Sequence, residues 1–377
     1  MKTFSYFCFR MGKHLLTYLL FLWVGVMSGL AFVVQASPNF YFKQLSQQDG
    51  LPQNFVRSIM LDHNGFFWIG TSRGVSRFDR HEFKNYSAVP DSATSLPDNL
   101  IHFIVEDAQN NIWISTSKGV CVYQRKSDDF KRIRWGKRAL QAHSYMLTDD
   151  ALLLGGRGVI YRWDYARCVM DTVPIRWKER SYAFFNYMSS WRKHYWVLSS
   201  RWEGMWILDC RTGEITRPEF CREREIMAVK VDSRDNLWIS PYGKGLDGYG
   251  DGGRKRVHYD MSNSDLTHNV ILDIEERDGQ LWLATDGGGI SILNRGDNSF
   301  SNIRYVPGDV YSFPVSSVFC LYRDKDNNMW AGTIRGGLFG IKEVYMRTYR
   351  DVPPGSSYGM SDKTVLCLYE DRDGSVW

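Results

Sequence analysis

Residues 51–78 read LPQNFVRSIMLDHNGFFWIGTSRGVSRF. Three short runs rich in β-branched and aromatic residues stand in this stretch, at 56–61, 67–71 and 75–78. An Asp-x-x-Gly turn at 62–65 and a Ser-Arg-Gly turn at 72–74 separate them. Asp and Gly suit such turns because a short carboxylate bonds the local backbone and glycine tolerates positive φ. Three strands and two tight turns, with no helical apolar period, make an antiparallel meander.

The unit is written again along the chain. A second copy begins with Leu-Pro-Asp-Asn at 96–99, and others centre on Trp113, Trp196, Trp238, Trp282 and Trp330, with an interrupted one at Trp377. Between Trp113 and Trp196 lies a degenerate copy, LLLGGRGV at 152–159, with Leu153 in the tryptophan's place. Successive anchors stand 40 to 48 residues apart. A fourth, aromatic-ended segment follows each triplet, as at 83–86, 130–133, 257–259, 303–305 and 346–349.

Four antiparallel strands repeated at this period are the blade of a β-propeller. A blade cannot bury both faces alone, so the tryptophans are expected between neighbouring sheets. Residues 42–45, FKQL, have the fourth-strand pattern with no triplet ahead of them. They are expected to pair with the third strand of the Trp330 blade and close the ring without an open edge. The expected fold is all-β: a seven-bladed propeller of four-stranded antiparallel blades over residues 37–343. Residues 344–377 would then hold the opening strand and partial first blade of a second propeller. A single eight-bladed ring is the rival arrangement. The sequence stops inside a tryptophan strand, so a piece of a longer protein is expected.

The totals agree with a folded, exported domain. Aromatic residues make up 15% of the chain and net charge is +5, which excludes a disordered composition. Lys2, Arg10 and Lys13 precede residue 36, leaving 44 basic against 42 acidic residues, too even a balance for a nucleic-acid partner. That basic start, an apolar run at 15–34 and Val34-Gln35-Ala36 before Ser37 read as a signal peptide or a signal anchor over residues 1–36. Either one implies that the rest of the chain is exported. Cys121, Cys320 and Cys367 fall in apolar strand patterns, which predicts burial, while Cys210 and Cys221 flank a hairpin and leave a bridge open.

Catalytic and metal motifs fail on their context. Gly355-Ser-Ser-Tyr-Gly359 is followed by a strand pattern, not by the helix of a nucleophile elbow. Asp324-x-Asp326-x-Asn328 has Met329 and Arg335 where a calcium loop needs Gly and Glu, so it reads as a hairpin. Asp286-Gly-Gly-Gly289 lacks the Lys-Ser/Thr of a phosphate loop, and the histidines show no metal spacing. No catalytic residue, cofactor or metal is expected.

The run Gly50-Leu51-Pro52-x-Asn54-x-Val56…Asp62-x-x-Gly65-x-x-Trp68-Ile69-Gly70-Thr71-x-x-Gly74-Val75 resembles the two-component regulator propeller repeat, as do residues 96–122, 266–293 and 313–341. The resemblance spans nearly all of the chain after residue 36. It weakens at 125–225, where the third and fourth units lose the Leu-Pro-x-Asn segment, the Asp-x-x-Gly turn and one tryptophan. It implies the periplasmic region of a hybrid two-component sensor that binds oligosaccharides released from polysaccharides. Two seven-bladed rings and a β-sandwich would precede a membrane helix, a histidine kinase, a receiver and a helix-turn-helix region. The implied partners are an oligosaccharide and the transmembrane and kinase regions beyond this chain, which would sit in the inner membrane and offer a route to homodimers.

Strand alternation locates a candidate ligand face. The Leu-Pro-x-Asn segments and the loops between second and third strands open on one side, called here the upper face, and the Asp turns on the other. The upper loops offer Arg73, Lys118, Arg157, Arg201, Trp202, Tyr242, Lys244, Asp286 and Arg335. Aromatic platforms and charged forks suit a sugar ligand, and the excess of cations points to an acidic one. A periplasmic lyase or glycosidase is the alternative. It would need paired carboxylates or a histidine on this rim, which offers Asp286 and Glu203 among mostly cations.

Overall fold

In the computed structural model, which describes residues 39–178, 181–250, 253–309, 311–344 and 367–369, each repeat forms one antiparallel sheet. The first blade is Val56–Leu61, Phe67–Thr71, Gly74–Phe78 and Phe83–Tyr86. The second is Ile101–Glu106, Ile112–Thr116, Gly119–Gln124 and Asp129–Arg132. The third is Ser144–Leu147, Ala151–Gly155, Ile160–Asp164 and Val169–Thr172. Blade four is Tyr187–Trp191, Tyr195–Ser200, Gly204–Asp209 and Glu214–Thr216, with Arg176–Trp177 added in parallel on its outer edge. Blade five is Ile226–Val231, Leu237–Pro241, Leu246–Tyr249 and Lys255–Tyr259. Blade six is Ile271–Arg277, Gln280–Thr285, Ile290–Asn294 and Ser299–Ile303.

The seventh blade takes Val318–Arg323, Met329–Thr333 and Leu338–Val344 from the end of the ring and Asn39–Leu45 from its start, in the sheet order that residues 42–45 predicted. The closing strand brings Phe40 to 6.1 Å from Trp282 and Phe42 to 5.1 Å from Phe313, so closure also covers blade six. The ring therefore has seven blades. Residues 1–36, the strand expected at 346–349, the sequence 355–359 and the partial blade from 360, apart from residues 367–369, lie outside the described residues.

The core is a series of clusters between blades. Trp68 packs on Ile104, Ile112 and Ile114 of the next blade, and Trp113 packs on Leu152 and Leu154. Leu153 stands opposite Arg162 as Trp68 stands opposite Arg77, so it does occupy the tryptophan's position. Trp196 does not. Its register places it opposite Leu208, and Val197, opposite Ile207, fills the anchor position and faces blade five. Trp196 instead turns back, half-buried, toward blade three. A one-residue offset along a strand reverses the face, and the fourth unit carries its aromatic residue one place early.

Other expectations need adjustment. The fourth strand of blade six is Ser299–Ile303, not 303–305, because Asn298 at φ 62° closes a tight turn onto Asn294. Cys210 and Cys221 are both free: Cys210 is exposed, while Cys221 is buried in the cluster between blades four and five. Cys121 is buried as expected, Cys320 is partly so, and Cys367 is exposed outside any strand.

Candidate functional site at the mouth of the ring

The turns fix the two faces. The amide of Gly74, in the loop between the second and third strands of blade one, donates to Asn99 O at 2.9 Å, and Gly245 and Gly337 do the same to Asn269 and Asn54. Loops and Leu-Pro-x-Asn segments of adjacent blades are thereby tied together on the upper face. Gly74 sits at φ 114°, and a Cβ there would run into Tyr86 O, so glycine is required.

Several residues expected to form the site are held apart by local partners. Lys118 Nζ lies 3.7 Å from Asp98, and Lys244 Nζ 2.8 Å from Glu223. Arg157 Nε donates to Tyr182 O at 2.6 Å. Arg73, Asp286 and Arg335 are exposed on their loops, and Trp202 and Tyr242 stand 67% and 55% exposed. The rim is thus closer to neutral than its loops suggest, because Asp98 and Glu223 come from the segments leading into the same blades as those lysines. Arg201 differs. It is half-buried, and burial lowers the pKa of its guanidinium.

What Arg201 faces was not read from the sequence. In blades one, two, five, six and seven the innermost strand carries a β-bulge at one register, between Val56 and Ser58, Ile101 and Phe103, Ile226 and Ala228, Ile271 and Asp273, and Val318 and Cys320. A bulge re-aims the extra residue. The five re-aimed residues are Arg57, His102, Met227, Leu272 and Phe319, all half-buried.

Several of them meet one another. The Arg57 guanidinium lies 5.2 Å from the Phe55 ring and 5.0 Å from the Phe319 ring, with its Nε donating to Ile101 O at 2.9 Å. Phe55 and Phe319 meet edge to face at 5.0 Å. His102 lies 4.0 Å from His143, which stacks on Phe184 at 3.9 Å. An arc of rings thus runs from blade seven through blades one, two and three to the approach to blade four, with Met227 and Leu272 at the same register on the other side.

The electrostatics of this mouth are unusual. Burial, and then the charge of Arg201 on blade four, lower the pKa of Arg57. Neither guanidinium has a carboxylate within ion-pair distance among the described residues. Burial pushes His102 down to about 3, with help from His143 and Arg57, and pushes His143 down to about 4. Both rings are therefore neutral at pH 7. The Nε2 of His102 is buried without a hydrogen-bond partner.

Below the mouth the axis is lined by Tyr145, Tyr187, Lys230, Asp273, Glu275 and Tyr322, within electrostatic reach of one another. The acids there have structural partners: Asp273 accepts from the amides of Leu321 and Ile274, and Glu275 pairs with Lys230 at 2.9 Å. On the lower face a cavity of about 580 Å³ opens between blades two and three, lined by Trp113, Trp163, Arg125, Lys126 and Lys131 among others. Arg125 is occupied by Glu106 and Asp62. Asp324 accepts from the amides of Asp326 and Asn328 and from the Trp330 indole, as a hairpin turn should.

Sheet order and the two faces define a seven-bladed β-propeller closed by its own first strand. Residues 50–73, 95–118 and 312–335 match the model of the two component regulator propeller family. Its fold is similar to the extracellular domain of the hybrid two component system BT3049 from B. thetaiotaomicron, at 22% identity and a TM-score of 0.70 over 90% of this chain and 46% of that one. The corresponding domain of BT4673 from the same organism gives 19% identity and a TM-score of 0.62, over 81% of this chain and 43% of that one. The computationally designed Ika8 protein shares the fold at 10% identity and a TM-score of 0.52, over 78% of this chain and 97% of that one. The chain spans less than half the length of the two extracellular domains it resembles. No curated protein matches it. No helix among the described residues is long and apolar enough to cross a membrane.

Proposed function

We propose that this propeller is the ligand-sensing, periplasmic part of a two-component sensor, and that it takes an oligosaccharide at the mouth of its upper face. The observation that carries the reading is the bulge repeated in five innermost strands, which places Arg57, His102, Met227, Leu272 and Phe319, all half-buried, at one register. Sugar rings present apolar faces edged by hydroxyls, and a cup of aromatic and aliphatic side chains with a few polar groups suits them. Trp202 and Tyr242 would extend the platform outward, with Arg73, Lys118, Arg157, Lys244, Asp286 and Arg335 forming an outer rim. Occupancy would pass to transmembrane, kinase and transcription-regulating regions outside this chain, anchored in the inner membrane.

A calorimetric screen of the chain against plant, algal and host oligosaccharides tests this. At least one should bind, and Phe55→Ala or Phe319→Ala should weaken it while the fold melts as a single unit. Binding that ignores both substitutions would remove the mouth from the account.

A further inference from the structure

We infer that the ligand carries an acidic substituent, a carboxylate or a sulfate, and that this group sits between Arg57 and Arg201 over the axis of the ring. The inference rests on the proposed use of the mouth and adds the chemistry of what enters it.

The two guanidiniums arrive from opposite sides. Arg57 belongs to the bulge of blade one and is held by Phe55, Phe319 and Ile101 O. Arg201 belongs to the upper loop of blade four, whose backbone is fixed by Asn186 Oδ1 on its amide at 3.0 Å and by the Ile226 amide on its carbonyl at 3.2 Å. Both backbones are pinned before any ligand arrives, so little ordering is left for binding to supply.

Most other partly buried cations among the described residues are neutralised. Arg295 meets Asp232 and Glu276, Arg125 meets Asp62 and Glu106, Arg277 meets Glu343, and Lys230 meets Glu275. Arg57 and Arg201 are both half-buried on the upper face without a carboxylate within ion-pair distance among the described residues, and burial, then the charge of Arg201, disfavour the charge of Arg57. Two like charges in one partly desolvated opening are costly unless an anion joins them. A carboxylate or sulfate bridging them would accept charge-assisted bonds from both and remove the repulsion.

The neighbours suit the rest of such a ligand. His102 and His143 are neutral and lie 4.0 Å apart with tilted rings, and the buried Nε2 of His102 is unpartnered. Phe184 and Phe319 end the arc of rings on either side. A free small anion would fill the charged centre and leave these surfaces unused. An acidic sugar would use both.

The test is isothermal titration of the chain with a uronic-acid trisaccharide, a sulfated trisaccharide, a neutral trisaccharide of matching linkage, and sodium sulfate alone. The result expected is binding of at least one acidic trisaccharide, at least about tenfold tighter than either the neutral sugar or sulfate alone. Its affinity should fall with added salt, whereas binding through ring stacking would not. Arg201→Gln, on a surface loop, should remove about tenfold or more of that affinity and leave the melting temperature unchanged, and Arg57→Gln should act in the same direction. Lys325→Gln, an exposed cation on the lower-face turn of blade seven, is the control and should leave affinity unchanged. Which acidic sugar binds distinguishes carboxylate from sulfate. Tighter binding of the neutral sugar, abolished by Phe319→Ala but indifferent to Arg201→Gln, would overturn this inference and leave the mouth as the site. Binding of none of the sugars, or binding untouched by every one of these substitutions, would overturn both.

Discussion

The indole Nε1 of Trp68 donates to the carboxylate of Asp62 at 3.1 Å, joining the anchor of a blade to the turn that opens its strand. The other carboxylate oxygen of Asp62 accepts the amides of Asn64 and Phe66. One buried acid therefore shapes the turn and satisfies the indole, and the arrangement recurs as Trp113 with Asp107, Trp238 with Asp232 and Trp330 with Asp324. Blade six lacks it. Its turn is one residue shorter, and Trp282 Nε1 is buried without a partner.

Trp113→Phe should therefore destabilise more than Trp282→Phe. Losing the first indole takes from the buried Asp107 Oδ2 one of its two donors, the other being Asn111 Nδ2, at a cost of about 0.5–1.5 kcal/mol beyond the lost packing, whereas the second removes a group that was already unsatisfied. Urea denaturation of the two variants measures the difference. Equal losses would show that the indole bonds contribute nothing.

The spacing of tryptophans and Asp turns made the blades and their closure legible, because a four-strand unit repeated seven times leaves little freedom. Leu153 could be placed from its surroundings alone. Trp196 misled, since its register is set by which face of blade four packs on blade five, and that is decided by neighbours far along the chain. The upper face was legible from strand alternation. The mouth was not, because a bulge adds one residue that no period announces. A signal does exist in hindsight. Val56, Ile101, Ile226, Ile271 and Val318 are all β-branched and buried, and the residue after each is Arg, His, Met, Leu or Phe, a variable position inside a constant frame.

Neighbouring blades are also clasped by charge on the lower face. Arg295 reaches back to Asp232 and Glu276, and is almost wholly buried. Between blades six and seven the polarity is reversed, with Arg277 on the turn and Glu343 on the following blade at 2.9 Å. Arg295→Ala should cost about 3–5 kcal/mol, because it leaves buried carboxylates uncompensated. Arg277→Glu should be rescued in part by Glu343→Arg, measured as a double-mutant cycle by thermal unfolding. Additive losses would mean that the pair does not interact.

Closure by the first strand predicts a sharp effect of truncation. Deleting residues through Leu45 exposes the edge of Leu338–Val344 and uncovers Trp282 and Phe313. An open apolar edge invites pairing with other chains. Size-exclusion chromatography should show aggregation or a much lower melting temperature. A monodisperse, unshifted variant would mean that the strand is an accessory.

Acidification should weaken the fold in a window set by the mouth. His102 and His143 titrate near 6.5 when unfolded and at about 3 and 4 in the ring, faced by each other, by Arg57 and by Asp98. Between those values the unfolded chain binds more protons, so stability is full above about pH 6.5 and is lost as pH falls toward 4. Asp128, Asp164 and Asp260, held below the usual carboxylate range by hydrogen bonds and ion pairs, act in the same sense at lower pH. A chain carrying His102→Phe and His143→Phe should lose less melting temperature between pH 7 and 4.5 than the wild type. Parallel curves would contradict the buried, neutral histidines.

The central claim is that a ligand occupies the mouth of the upper face. The most direct measurement is a crystal structure of the chain with the tightest-binding acidic oligosaccharide from the titrations. The account predicts a sugar ring against Phe55, Phe319 or His143, with its acidic group between Arg57 and Arg201. An ordered sugar in the lower-face cavity beside Trp113, Trp163 and Lys131, with the mouth unchanged, would contradict it.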